Sequence, residues 1–267
     1  MNDRVKLAVE NGIATVTLNR ADKHNGMDFV MLDAVVDAQH RLKKRSDVRA
    51  AIIHGDGPSF CAGLDLKTVM ADKKAALAGY AKLWSPVRNK FQTWSMGWRE
   101  LPFPVIACIH GNCFGAGIQL ALGADIRVAT PDAKISVMEA KWGLIPDMGG
   151  AALLREAVGI DVAKELTFTA RTISGDDALK LRLVTHVHSD PMTKARELIA
   201  EIVVRSPDAV AAGKFLMQHA WSSGESGALA GERRYQRQLM GGKNQRIAIE
   251  RGMKKTETPF KPLKIRS

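Results

Sequence analysis

The centre of the chain carries the stretch HGNCFGAGIQL, residues 110–120, which follows an apolar run from Val105 to His110. A short apolar run bounded by glycine is typical of a buried strand, and residues Gly117 to Leu122 predict a short helix after the turn. A further strand is predicted at Ile126 to Ala129. Strand, glycine-rich turn, helix and strand in succession predict an α/β fold with parallel strand pairing.

The glycine-rich turn places several small residues at a predicted helix start. Small residues let a ligand approach the backbone closely, and the free N–H groups of a helix start can bind an anion. The turn differs from the dinucleotide-binding fingerprint, because Leu120 stands where a third glycine would follow Gly115 and Gly117. It also lacks the Lys-Ser/Thr ending of a phosphate-binding P-loop. Taken alone, the segment could equally be an ordinary structural turn.

A second strand-to-helix turn lies earlier, at Ser59-Phe60-Cys61-Ala62-Gly63-Leu64-Asp65-Leu66. Two turns of this kind can each aim one backbone N–H at a common point. Converging N–H donors stabilise the oxyanion of an enolate or a tetrahedral intermediate. For this segment too, the alternative is an ordinary turn.

A third segment, Glu139 to Gly150, has two acids, Glu139 and Asp147, in an otherwise apolar and glycine-rich loop. Burial in such surroundings would raise a carboxyl pKa toward the range that suits proton transfer. Two alternatives remain open. Asp147 could be the N-cap of the following helix, and Glu139 could be a solvated loop acid.

The flanking segments complete an organisation in two parts. An Asn11-Gly12 turn within residues 6–18 predicts a hairpin, and from Pro191 onward the pattern is helical only. We place a boundary near residue 200, between a core at 1–200 and a helical region at 201–267. The other predicted elements are a helix at 28–45 capped by Asp28, a strand at Val48 to His54, mostly helix at 64–100 with breaks near Gly79 and Pro86, a strand at Lys134 to Val137, a helix at Ala151 to Ala157 and a helix at 175–183 capped by Ser174.

Composition narrows the class of protein. The 267 residues include 46% hydrophobic residues, enough for one large domain or a domain with an appendage. No apolar run approaches the roughly 20 residues that span a bilayer, and Met1 to Glu10 lacks the apolar segment of a signal peptide. The three cysteines form no disulfide framework or metal-ligand spacing, which favours free buried thiols. We therefore expect a cytoplasmic protein with no metal site and no membrane contact.

Four ordered segments resemble the crotonase, or enoyl-CoA hydratase/isomerase, family. Phe60 to Leu66 is similar to its F-x-A-G-x-D-[LI] segment, and His110 to Leu120 to its x-G-x-x-x-G-[GA]-G-x-x-L segment. Glu139 to Gly150 resembles E-x-x-x-G-[LI]-x-P-x-x-G-G, and Asn19 to Asn25 resembles N-R-[PA]-x-[KR]-x-N. The likeness extends in order from about residue 5 to 205, and more loosely through the helical tail.

The resemblance implies a spiral of ββα units with a C-terminal helical region used in trimer assembly. It implies that the N–H groups of Leu64 and Ala116 bind the oxygen of an acyl-CoA thioester. It further implies that coenzyme A, as part of the substrate, lies along one side of the site, and no other cofactor is expected. The residues implied for that side are Lys23, His24, Ala62, Gly63 and Asp65.

The carboxylates decide between reactions. The family's hydratases resemble one another in having two glutamates, and the first of these positions is here Gln119, 20 residues before Glu139. Glutamine can hold a water but cannot take its proton. Asp147 matches an acid of the dienoyl-CoA isomerase branch, so double-bond isomerisation is favoured and hydration of a 2-enoyl-CoA is the alternative. The dehalogenase branch has an aspartate at the position of Asp147 but a tryptophan at the position of Glu139. This difference disfavours a dehalogenase reaction, in which Asp147 would be the nucleophile.

The charge bears on partners and assembly. A net charge of +11 suits the three phosphate groups of coenzyme A, although some crotonase relatives bind RNA through surface lysines. An RNA-binding protein of this kind is therefore the alternative from another class. We do not favour it, because the basic residues are spread along the chain apart from a run at 43–45 and a basic tail. We expect a homotrimer or a hexamer. In it, the helical tail would cover a neighbour's apolar surface rather than form its own core, and Lys243 to Lys264 would lie near coenzyme A.

Overall fold

The computed structural model describes residues 3–71, 77 and 81–266. The strands in this part of the chain are Val5–Glu10 (β1), Ile13–Leu18 (β2), Ala50–Gly55 (β3), Val105–Ile109 (β4), Asn112–Phe114 (β5), Ile126–Ala129 (β6), Lys134–Ser136 (β7) and His186–Val187 (β8). The helices are Phe29–Lys43 (α1), Leu66–Ala71 (α2), Lys90–Met96 (α3), Ala116–Leu122 (α4), Gly150–Ala157 (α5), Ile160–Thr169 (α6), Gly175–Lys180 (α7), Pro191–Val203 (α8), Pro207–Ser222 (α9), Glu225–Leu239 (α10) and Lys243–Lys254 (α11).

The described strands form a six-stranded sheet in the order β1-β2-β3-β4-β6-β8 and a two-stranded sheet of β5 and β7. β1 pairs antiparallel with β2, and the remaining neighbours pair parallel. The predicted α/β class with parallel pairing is confirmed. The predicted hairpin is confirmed as well, because Asn11 and Gly12 both have positive φ, at 50° and 77°, as a two-residue hairpin turn requires.

Helix α1 begins where Asp28 predicts. The Asp28 carboxylate accepts a hydrogen bond from the Met31 N–H at 2.7 Å, which satisfies one free donor of the first turn. Its other oxygen lies 2.9 Å from the Arg4 guanidinium and 3.5 Å from that of Arg20. The cap therefore also ties the start of α1 to the loop that carries residues 19–25.

The described residues of the region 64–100 are mostly helical, as predicted, in α2, α3 and a 3-10 helix at Lys82–Trp84. The predicted break near Pro86 is confirmed, because residues 85–89 are not helical. The predicted break at Gly79 lies outside the described residues. Helix α3 starts at a capping box, in which Asn89 accepts from the Gln92 N–H at 2.9 Å.

The two glycine-rich turns meet at the carboxyl edge of the parallel sheet. One follows β3 and the other follows β4, and neighbouring parallel strands end at the same edge. A bridge pairs Cys61 with Cys113, and the Phe114 N–H donates to the Cys61 carbonyl at 3.0 Å. The topology thus places the segments 59–66 and 110–120 side by side.

The C-terminal region is helical, as predicted, but it contributes to the core of its own chain. Its buried members join the main hydrophobic cluster of the sheet and α1. These residues therefore pack on their own chain rather than on a neighbour, and the predicted contact of the tail with a neighbouring subunit stays a prediction. The predicted boundary between the core and the helical region, near residue 200, falls within helix α8. The division of the chain into these two parts stays a prediction. The buried residues concerned are Ala211, Ala212, Phe215, Tyr235, Leu263 and Ile265.

The last residues of the chain are attached to the amino edge of the sheet. The Leu263 N–H donates to the Ser46 carbonyl at 3.1 Å, and the Arg266 guanidinium donates to the Lys43 carbonyl at 3.0 Å. Ser46 precedes β3, and a strand of six residues is about 20 Å long. Within one chain, this tail therefore lies at the opposite edge from the two turns.

None of the described helices is long and apolar enough to cross a membrane. Cys61, Cys108 and Cys113 are all free and buried, which confirms the prediction of free thiols. Burial raises the pKa of Cys61 and of Cys108 to about 12. These thiols are therefore protonated and unreactive near neutral pH.

Candidate active site

Two backbone N–H groups come together where the turns meet. Within the described part of the chain, neither Leu64 N–H nor Ala116 N–H donates to another residue. Ala116 is the first residue of α4, where the helix leaves its N–H groups free. A Cβ added to Gly63 would lie 3.7 Å from the Ala116 nitrogen, so the two donors stand on adjacent turns. Two free donors on adjacent turns are what an oxyanion hole requires.

The backbone that aims the Ala116 donor is fixed from both sides. Gly115 adopts φ 48° and ψ −114°, a conformation outside the regions open to residues with a Cβ. On the other side, the Trp94 indole Nε1–H donates to the Ala116 carbonyl at 2.8 Å. The sequence pattern did not assign Trp94 to the site. A signal was available, because a buried tryptophan needs an acceptor for its N–H.

A cavity of about 130 Å³ opens at the two donors. It contains all the predicted catalytic positions, namely Leu64, Ala116, Gln119, Glu139 and Asp147. Apolar side chains form most of the cavity wall. The sequence analysis did not assign these side chains to the site. The apolar lining residues are Leu66, Phe114, Met138, Trp142, Leu144, Ile145 and Met148.

Glu139 is buried, with 8% of its surface exposed, so it is not the solvated loop acid of the alternative. Its Oε1 accepts from the Gln119 Nε2 at 2.6 Å. Its Oε2 is buried and has no hydrogen-bond partner among the described residues. Burial raises the pKa of Glu139, and the nearby charge of Asp147 raises it further. A carboxylate with one unoccupied oxygen in an apolar cavity is suited to accept a proton.

Asp147 is not the helix cap that the alternative proposed. Helix α5 has Gly149 at its N-cap, and no side chain caps it from that position. Asp147 is partly open to solvent; the burial of the rest of its side chain raises its pKa, and a hydrogen bond from its own backbone N–H partly offsets this effect. Its carboxylate has no other hydrogen-bond partner in the described part of the chain. Asp147 is thus a second acid on the wall of the same cavity.

The first amides of that loop and helix are bound by Gln119 instead. Its Oε1 accepts from the Met148 N–H and from the Gly150 N–H, each at 2.9 Å. Gln119 is 2% exposed, and its Nε2 donates to Glu139. The carbonyl that would have accepted from a water is therefore occupied by the protein itself.

The five residues predicted on the coenzyme A side share one rim. The Ala62 N–H donates to the His24 carbonyl at 2.9 Å, and Ala62 and Gly63 line the cavity. Lys23 and His24 are exposed beside them. Asp65 also has a structural part, because it accepts from the Thr68 N–H at the start of α2.

Arg20 is a buried residue behind this rim that sequence reasoning left without a role. Its guanidinium lies 2.9 Å from the Asp65 carboxylate and donates to the Gly26 carbonyl at 2.9 Å. Burial opposes ionisation of Asp65, but the hydrogen bonds from Thr68 and Arg20 outweigh it and lower the pKa of Asp65. Arg20 thereby holds the rim against the start of α1.

Comparison with known proteins places these features in context. Residues 8–261 match the family described as enoyl-CoA hydratase/isomerase. A Bacillus subtilis protein named as an enoyl-CoA hydratase/isomerase is 31% identical over 98% of this chain and 99% of its own length. The mitochondrial Δ(3,5)-Δ(2,4)-dienoyl-CoA isomerase of mouse is 33% identical over 78% of this chain and 66% of its own. The crystal structure of an enoyl-CoA hydratase from Mycobacterium smegmatis superposes with a TM-score of 0.84, at 28% identity, over 97% of this chain and 98% of that one.

Proposed function

The chain belongs to the enoyl-CoA hydratase/isomerase family, and on that premise we propose that it moves a carbon–carbon double bond within an unsaturated acyl-CoA thioester. The carbonyl oxygen of the thioester binds between the N–H groups of Leu64 and Ala116. Coenzyme A extends along the rim formed by Lys23, His24 and residues 62–65. The acyl group enters the apolar cavity.

The reaction is two proton transfers through a dienolate. One of the two acids, in its ionised form, removes a proton from a carbon next to the double bond, and the electron pair of that C–H bond delocalises onto the thioester oxygen. The two N–H groups stabilise this charge, and one such donor is worth about 3–4 kcal/mol of barrier. The other acid, in its protonated form, returns a proton at the other end of the conjugated system. Each turnover leaves the first acid protonated and the second ionised, so both are reset by exchange with solvent.

The observation that carries this proposal is the pairing of acids in the cavity. The two carboxyls with raised pKa are Glu139 and Asp147, while the third polar group, Gln119, is an amide bound to the backbone. Two acids on one apolar wall suit proton transfer to and from a substrate, because a raised pKa makes a carboxyl a better base when ionised and keeps it protonated to a higher pH.

The cavity also indicates the class of acyl group. Its described lining contains no lysine, arginine or histidine. A second carboxylate on the acyl chain would lie against apolar side chains there and would find no cation to pair with among these residues. We therefore propose a hydrocarbon acyl chain without a distal charge.

A panel of 2-enoyl-, 3-enoyl- and 3,5-dienoyl-CoA thioesters tests the proposal. Products are identified by the absorbance of the conjugated thioester and by mass, since hydration adds one water and isomerisation adds nothing. We expect isomerisation to exceed hydration, and Asp147→Asn to abolish isomerisation. If Asp147→Asn leaves turnover unchanged, Asp147 transfers no proton and the isomerase proposal fails.

Hydration of a 2-enoyl-CoA is the second candidate, and one observation favours it. The buried Oε2 of Glu139 has no described partner and could hold a single water at the cavity wall. Glu139 would deprotonate that water alone, because no second carboxylate is present to share the proton of the water. We expect hydration to be the slower reaction and to survive Asp147→Asn.

A further inference from the structure

We infer that Gln119 is a positioning residue that holds the two acids in register, rather than a group that contacts substrate. The inference rests on the proposed proton shuttle between Glu139 and Asp147. One amide side chain bridges both of the segments involved. Its nitrogen binds the carboxylate of Glu139, and its oxygen binds the backbone beside Asp147.

The orientation of the Gln119 amide follows from its partners. Backbone N–H groups can only donate, so the atom that faces Met148 N and Gly150 N must be the carbonyl oxygen. The NH₂ group must then face Glu139. An ionised carboxylate has no proton to donate, so Glu139 can act only as the acceptor of this hydrogen bond. The three contacts, at 2.9, 2.9 and 2.6 Å, are satisfied in this orientation alone. A flipped amide would set its NH₂ against two N–H donors.

The bridge determines which oxygen of Glu139 reacts. Oε1 is bound to the Gln119 N–H, so an incoming proton goes to Oε2, the buried oxygen with no described partner. The same N–H favours the ionised form of Glu139 against the effect of burial. Gln119 thus orients the Glu139 carboxylate and keeps it ionised at a lower pH than burial alone would allow.

The other end of the bridge fixes the segment that carries Asp147. The clamped amide of Met148 adjoins Asp147 in the chain, and the clamped amide of Gly150 opens helix α5. A Cβ at position 150 would lie 2.5 Å from the Gln119 Oε1, so the close approach depends on the glycine. Glycine-rich backbone such as residues 149–150 has no intrinsic stiffness, and the glutamine supplies it.

Two variants separate the two ends of the bridge. Gln119→Met fills a similar volume but removes both the N–H and the carbonyl. Gln119→Glu keeps an oxygen for the amides of Met148 and Gly150 but replaces the N–H with a second carboxylate oxygen beside Glu139. Two carboxylates at that distance cannot both ionise easily, so they share a proton.

The readouts are the ¹³C NMR titration of the Glu139 carboxyl, assigned with Glu139→Gln, and hydrogen exchange of the Met148 and Gly150 amides. We expect the Glu139 titration to move to higher pH in both variants. The two amides should lose protection in Gln119→Met and keep it in Gln119→Glu. On the best thioester of the panel, Gln119→Met should lose about 100-fold in kcat with little change in KM, the usual effect of misplacing a reacting group by about 1 Å.

A titration of Glu139 that is unchanged in both variants would overturn the inference. Amides whose exchange does not respond to Gln119→Met would overturn it too. If Gln119→Met fails to fold, Gln119→Glu alone still tests the titration. A wild-type protein that turns over no thioester would refute the proposed function, while the titration and the exchange still decide the role of Gln119.

Discussion

The substitution Gly115→Ala tests the oxyanion hole by its backbone alone. The Ala116 N–H belongs to the peptide between Gly115 and Ala116, so ψ of Gly115 sets its direction. That ψ is −114° at φ 48°, whereas a residue with a Cβ and positive φ prefers ψ near +47°. Relaxation to that conformation would rotate the peptide by about 160° and turn the donor away from the cavity.

The expected loss follows from the removal of one donor. A single oxyanion-hole donor is worth about 10²–10³ in kcat, and we expect Gly115→Ala to fall in that range. An alanine Cβ would lie 3.4 Å from the Glu139 Oε1, a tight contact rather than a severe clash. The binding of free coenzyme A, which has no thioester carbonyl, should be unchanged.

Gly241→Ala is the matched control. Gly241 also has positive φ, at 74°, but a Cβ there meets nothing within 4 Å. Both variants should lose about 1–2 kcal/mol of stability from backbone strain, measured by thermal unfolding. Only Gly115→Ala should lose turnover. A kcat of Gly115→Ala equal to that of Gly241→Ala would refute the assignment of Ala116 as an oxyanion donor.

The remaining predictions concern the acids and the helical tail. Glu139→Gln should lower kcat by about 10²-fold or more, the size of a general acid–base contribution, and unchanged turnover would remove Glu139 from the mechanism. Turnover should rise with pH as the acid that acts as the base ionises and fall again as the other acid loses its proton, both at a raised pKa, and a profile flat from pH 4 to 9 would contradict both roles. Ionisation of these two carboxyls opposes folding, so their contribution to stability should be greatest below their ordinary pKa and decline as the pH rises through the raised values. On helix α9, Phe215→Ala should destabilise the chain by about 3–5 kcal/mol, whereas Trp221→Glu, at a side chain 61% exposed, should dissociate the predicted trimer without unfolding it. Light scattering that shows a monomer for the wild type would end the trimer prediction.

The elements of the spiral could be predicted because their signals are local. The Asn11-Gly12 turn, the Asp28 cap and the apolar run before His110 each depend on a few neighbouring residues, and each is where the pattern indicates. The packing of the tail could not be predicted, for the opposite reason. Its helices are amphipathic, and periodicity shows that a face is buried but not against which surface. Here Phe215 and Leu263 pack into the core of their own chain.

The position of the tail also changes how the positive charge must be understood. Residues 201–267 contain thirteen Lys or Arg and six Asp or Glu, so this region carries +7 of the net +11. Within one chain, its last residues lie at the amino edge of the sheet, opposite the rim proposed for coenzyme A. Lysines there can approach the phosphates only of a coenzyme A bound to another subunit. The predicted contact of Lys243 to Lys264 with coenzyme A therefore requires the predicted trimer, and a monomeric protein would exclude it.

For the candidate site too, local sequence patterns could be predicted and contacts between distant residues could not. Sequence spacing was enough to select Leu64, Ala116, Glu139 and Asp147, because glycine-rich turns and acids in apolar loops are visible in the chain itself. The replacement at Gln119 was visible too, but its effect was not, since its three partners are 20 to 31 residues away. An amide at this position cannot share the proton of a water, yet it can accept from backbone N–H groups and donate to a carboxylate at once. An ionised carboxylate can only accept, so the amide is suited to hold both Glu139 and the backbone beside Asp147 in place. This is the physical reason to expect that Glu139 and Asp147, rather than a pair of acids at 119 and 139, exchange protons with the substrate.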